Sequence, residues 1–152
     1  MPAEILGFAS VFFAGLLAGE EFVIRFGVRG PLAALDDAAH IRLRQALIRT
    51  LRILVPAIFA LTFLATGAAI ALGGAAFDLA FALRCAGQLA LLAFMVITLA
   101  GTVPINQAVL VWNPSAPPEG WRGAIRRWEK LDTVRTLLAL GAFGLLAAAG
   151  MS

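Results

Sequence analysis

A chain of 152 residues that is 61% hydrophobic and only 14% charged, with a mean hydropathy of +0.92, carries more apolar side chain than a soluble domain, where the share is about half. Its formal charge of +3 at pH 7 comes from arginines that flank apolar runs, not from a basic segment interleaved with exposed aromatics, which argues against nucleic acid as a partner. One cysteine, Cys85, excludes an intramolecular disulfide and a cysteine metal cluster. The expectation is an all-α integral membrane protein with the bilayer as its first partner. Residues 1–152 would form a single domain, with room for about four spanning helices of roughly 20 residues each.

Glu4 and no Lys or Arg precede the first apolar run. It therefore lacks the basic start of a secretory signal and is predicted to be retained as a helix from about Glu4 to Gly27. Gly15 and Gly19 are spaced for close approach of another helix. Glu20 and Glu21 follow, and neighbouring helical positions point about 100° apart. One carboxylate is expected to face the bundle while the other meets Arg25 or the headgroups. Gly30-Pro31 marks a turn between Arg29 and Asp37, and Asp36 or Asp37 supplies a cap.

The pattern from about Ala38 to Leu72 is too long for one crossing. Its first part is amphipathic, with His40, Leu43, Leu47, Leu51 and Leu54 on one face and Arg42 and Arg49 opposite. Pro56 is placed to kink the helix where it enters the membrane. His40, the sole histidine, is followed one turn later by Arg44.

Gly73 to Ala76 predicts a short turn, and Asp78 starts a third helix in which Arg84 snorkels outward or pairs with a polar group such as Asp78. Gln88, Thr102 and Asn106 fall on nearly one face, because eighteen residues complete about five turns. Asn113-Pro114 ends this helix, and Ser115-Ala116-Pro117-Pro118 cannot continue it. Glu119 or Gly120 then begins a last helix reaching about Gly150. Trp121, Trp128 and Arg135 recur every seven residues and share one seam. An arginine that deep needs an acidic or hydrogen-bonding partner on a facing helix, for which Glu20, Glu21 and Asn106 are the candidates.

Of the twelve basic residues, all but Arg84 lie in or beside the first and third connections. By the positive-inside rule those connections face the cytoplasm, with both termini on the opposite, periplasmic side. The second, third and fourth helices are then lengthened on the cytoplasmic side. One end of the bundle would gather Glu20 or Glu21, His40, Asn106, Trp128 and Arg135.

The segments GLLAGEEFVIRFGV, HIRLRQALIRTLRILVPAIFALT and TVPINQAVLVWNP followed by PPEGWRGAIRRWEKLDTVRTLLAL resemble the DUF1772, or anthrone oxygenase-like, family of small four-helix membrane proteins. The most specific part is the pattern of Pro104, Ile105, Asn106, Trp121, Trp128 and Arg135. The resemblance implies a four-helix transmembrane bundle in a bacterial inner membrane. It also implies, by analogy with members in fungal polyketide pathways, oxidation of an anthrone to an anthraquinone by molecular oxygen.

That chemistry needs a base, for which Glu20 or His40 would serve, and groups that stabilise an oxyanion, for which Arg135 and Asn106 would serve. Trp121, Trp128 and Arg44 would hold a flat, apolar aromatic substrate. A quinone site fits the same residues. The cofactor is left open between none, a haem on His40, and a mononuclear ion held by His40, Glu20 and Asn106; the Glu-x-x-His pairs of a di-metal bundle are missing. The competing class is a non-enzymatic membrane scaffold or interaction subunit. In it the polar residues only lock helices together, and Gly15, Gly19, Gly67, Gly87, Gly101, Gly141 and Gly144 permit tight packing and homo-oligomers.

Overall fold

The computed structural model describes residues 2–73 and 78–152. Its helices are α1 (Pro2–Phe22), α2 (Arg29–Ala33), α3 (Asp37–Leu72), α4 (Leu79–Ile97), α5 (Val103–Leu110) and α6 (Trp121–Ala149), with wide π-helical turns at Val23–Val28 and Thr98–Thr102. The turns join α1 to α2 and α4 to α5, so the chain forms four long apolar segments, Glu4–Ala33, Asp37–Leu72, Leu79–Leu110 and Trp121–Ala149. Each exceeds the roughly 20 residues that a bilayer requires. The protein is thus an all-α, multi-pass membrane bundle. Large apolar side chains such as Phe8, Ile53, Leu64 and Leu89 stay exposed, as they do when lipid, not water, surrounds them.

Caps and packing follow from the sequence. Asp36 accepts the Ala39 amide at 2.8 Å and Asp78 accepts that of Phe81 at 2.8 Å, fixing the starts of α3 and α4. Gly120, at φ +77°, opens α6 in a conformation that costs glycine little. α1 packs on α3 and α6, and α4 packs on α6. Leu17, Ala18, Leu91, Phe94, Ala139 and Ala142 form one buried cluster, which stacks Phe59 on Phe94 at 5.6 Å. A second cluster, nearer the first and third connections, holds Ile41, Ile48, Val109, Trp121 and Ile125.

Several expectations are corrected. The first span does not stop near Gly27: the wide turn, in which the Arg29 amide bonds the Ile24 carbonyl, carries the helix on to Ala33. Gly30 and Pro31 lie inside α2, with Pro31 in its first turn, where a missing N–H matters least. The third span ends at Leu110, earlier than Asn113. The buried stripe at the start of α3 is His40, Ile41, Arg44, Gln45 and Ile48, while Leu43 and Leu54 are exposed. Gln45 ties that face to the third span: its amide donates to the Val109 and Trp112 carbonyls, both at 2.9 Å, and Leu43 and Leu54 turn outward.

Gly15 lies against the Phe143 ring, but a methyl group on Gly19 would meet nothing within 4 Å, and the same holds at Gly141 and Gly144. Gly15 and Gly19 therefore do not form a paired contact. The turn expected over Gly73 to Ala76 lies, beyond Gly73, outside the described residues.

Candidate functional site

The four spans enclose a cavity of about 340 Å³, within the roughly 300–1,000 Å³ of small-molecule sites. Apolar side chains of Ile24, Leu47, Ile48, Leu51, Val55 and Leu110 form much of its wall. Polar groups enter from every span: Glu20, Glu21 and Arg29 from the first, Arg44 from α3, Thr98, Thr102 and Asn106 from the third, and Trp128, Asp132 and Arg135 from α6.

Both glutamates reach the cavity, which corrects the expectation that one would turn away: it wraps the end of α1 widely enough to meet two adjacent positions. Glu21, 2% exposed, accepts a hydrogen bond from Arg135 in a buried ion pair. The Arg135 guanidinium also lies over the Phe94 ring, 4.6 Å from its centroid. Arg44 stacks on Trp128 at 4.6 Å, making a flat wall of ring and guanidinium. Arg25 does not meet the glutamates, but sits over Phe26 at 5.7 Å.

The π-helical turn at Thr98–Thr102 decides what the third span presents. Because it inserts extra backbone into the spiral, positions before and after it no longer follow one 3.6-residue register. Gln88, about 27 Å from Asn106 along the span, donates to the Phe63 carbonyl at 3.5 Å, while Thr98, Thr102 and Asn106 line the cavity. Of the predicted stripe from Gln88 to Asn106, Thr102 and Asn106 reach the cavity.

His40 and Trp121 are not among the cavity's lining residues. They pack edge to face at 5.5 Å, and Trp121 meets Trp112 at 6.5 Å, all beside the second apolar cluster. The predicted seam is real as a helix face, but the cavity reaches only its Trp128 and Arg135. Of the residues named for a mononuclear ion, Glu20 and Asn106 line the cavity and His40 does not. Among the described residues no group of three or more His, Cys, Asp or Glu is arranged to hold a metal ion.

Sequence reasoning missed Asp132, which is 1% exposed and lies one helical turn from both Trp128 and Arg135. Spacings of three and four on α6, not only seven, would have found it. It also missed Arg29, whose guanidinium pairs with Glu129 at 2.6 Å beside the cavity.

Nine buried side-chain polar atoms among the described residues have no hydrogen-bond partner in the protein. Seven of them belong to residues that line this cavity: the acceptors Glu20 Oε2, Glu21 Oε2, Asp132 Oδ2 and Asn106 Oδ1, and the donors Arg44 Nε, Arg135 Nε and Trp128 Nε1. Buried polar groups are ordinarily paired, so this concentration marks a place built to meet polar groups from elsewhere.

Residues 45–145 match the family model described as anthrone oxygenase. The match includes Asn106, Trp128, Asp132 and Arg135, and leaves out Glu20, Glu21 and Arg44. No curated protein matches the chain, and no solved structure does.

Proposed function

Because the chain belongs to the anthrone oxygenase family, we propose that the cavity binds a flat, hydroxylated aromatic carrying an acidic methylene and oxidises that carbon to a ketone with molecular oxygen. Overall the CH₂ group and O₂ give C=O and H₂O, so no further reductant is consumed. Glu20, with a buried and unpartnered oxygen, takes the first proton. Charge then moves onto the ring oxygen, where the Arg135 guanidinium and the Asn106 amide N–H stabilise it, while the unpartnered Asn106 Oδ1 accepts from a ring hydroxyl; Arg135 is held for this by Glu21 and Phe94. The stacked Arg44 and Trp128 align the ring plane, and the surrounding apolar wall keeps water from the carbanion.

The observation that carries this reading is the set of seven unpartnered atoms converging on one cavity. A scaffold whose polar groups only lock helices would pair them with one another. A quinone, which only accepts hydrogen bonds, would satisfy the three donors and leave three carboxylate oxygens and an amide oxygen unmet. A phenolic ring system offers hydroxyl donors as well as a carbonyl acceptor. His40 and Trp121 take no part in this scheme and serve as packing between the first connection and α6.

The test uses the full chain in nanodiscs with a dihydroxyanthrone, following oxygen uptake and quinone absorbance together. The wild type should oxidise the substrate well above the rate in empty nanodiscs. Glu20→Gln should lower the rate by about 10²- to 10⁴-fold, and Asn106→Ala by about 10²-fold or more. A wild type no faster than empty nanodiscs, or a Glu20→Gln form at full rate, removes the proposal.

A further inference from the structure

Taking one proton does not complete such an oxidation. Once dioxygen has added, the carbon still holds its second hydrogen, which must leave as the O–O bond breaks. We propose that Asp132 takes this second proton, approaching from the fourth span while Glu20 serves the first step from the first span. The inference rests on the oxidative reading of the cavity and assigns it a second, separate catalytic residue.

Asp132 is 1% exposed, lines the cavity and keeps one carboxylate oxygen without a protein partner. Trp128 lies one turn before it and Arg135 one turn after it on the same face of α6. Its carboxylate is therefore placed between the aromatic wall and the guanidinium that holds the ring oxygen. Removal of the first proton flattens the carbon. When dioxygen adds on the face that the first proton left, the carbon becomes tetrahedral again and its remaining C–H bond swings to the opposite face, away from Glu20. A base aligned with the first hydrogen is then poorly aligned with the second, whereas a carboxylate on another helix meets it from a different direction.

The steps balance. Glu20 accepts the first proton, and the carbanion transfers one electron to dioxygen and combines with it to give the substrate peroxide anion. That anion recovers the proton from Glu20 and becomes a hydroperoxide. Asp132 then removes the second C–H proton, the C–H electron pair forms the C=O bond, and the O–O bond breaks with hydroxide leaving. Asp132 returns its proton to hydroxide, releasing water, so both carboxylates end as they began.

The experiment compares oxygen uptake with quinone formation in single turnovers of the full-length protein in nanodiscs, with peroxide titrated after an acid quench. In Asp132→Asn, oxygen uptake should persist while quinone appears about tenfold or more later, with quenchable peroxide in between. Asp132→Glu, which keeps the charge and so guards against failure to fold, should show a smaller delay of the same kind. A purely structural carboxylate would lower both signals in parallel. Parallel loss, or unchanged coupling in both variants, overturns the assignment while leaving Glu20 and the oxidation in place. A wild type that takes up no oxygen overturns both.

Discussion

Arg135 and Glu21 show what a buried charge demands of its surroundings. With side-chain exposures of 7% and 2%, neither ion has water to fall back on, so each depends on the other. Removing one partner strands a charge at a cost of about 3–5 kcal/mol, whereas replacing both with apolar groups of similar volume is often neutral or better. Arg135→Met alone should therefore lose about 3–5 kcal/mol in denaturant titration followed by tryptophan fluorescence. Glu21→Leu with Arg135→Met should regain most of that stability and remain inactive. Additive destabilisation in the double variant would show that the two side chains do not act as a pair. That a deep arginine needed an acidic or hydrogen-bonding partner was legible in the sequence, because an arginine in mid-bundle is not left without one. Which glutamate answers was not, since adjacent positions on one helix differ only in rotation, and the packing of α1 on α6 sets that.

Among the elements, the four spans and the caps at Asp36 and Asp78 were legible because length, apolar content and capping chemistry are local properties. The two π-helical turns were not, because nothing in periodicity signals an inserted residue. The expected turn at Gly30-Pro31 failed for that reason. Asp132 was overlooked because seven-residue spacing picks one line along a helix, and a cavity sees a wider face.

The same limit applies to glycines, whose spacing does not reveal what stands opposite. Gly87 bears directly on packing between α4 and α6. A methyl group there would come within 3.0 Å of Leu146 Cδ2 and 3.1 Å of its Cγ, and Leu146 is itself only 2% exposed. Gly87→Ala should thus push α4 from α6 and cost about 1–3 kcal/mol. Gly141→Ala, inside α6 and with open space around the added carbon, should raise stability by about 0.5–1 kcal/mol. Equal stability of the two variants would mean that α4 and α6 approach less closely than described.

At the scale of the whole molecule, two ion pairs locate both charged connections at one end. Arg29 reaches Glu129, and Arg122 reaches Asp37, so the segment between α2 and α3 is tied to the first turns of α6. The exposed Arg42, Arg49, Arg52, Arg126, Arg127 and Lys130 surround this end, while Arg84 belongs to the other, beside Gly73. By the positive-inside rule the tied end should face the cytoplasm, which would set the cavity near the inner leaflet. Single cysteines introduced into a Cys85→Ala background test this. Asp36→Cys and Ser115→Cys should react with a membrane-impermeant maleimide only in inverted vesicles, and Asp78→Cys and Ser152→Cys only in intact spheroplasts. The opposite pattern would reverse the orientation. With the expected one, the exposed cavity-lining residues Arg52, Pro56 and Gln107 would stand toward the inner headgroups, where a flat phenolic partitions with its rings in hydrocarbon and its hydroxyls near water. Substrate would then reach Glu20 and Asp132 from the membrane interface without first dissolving in the cytoplasm.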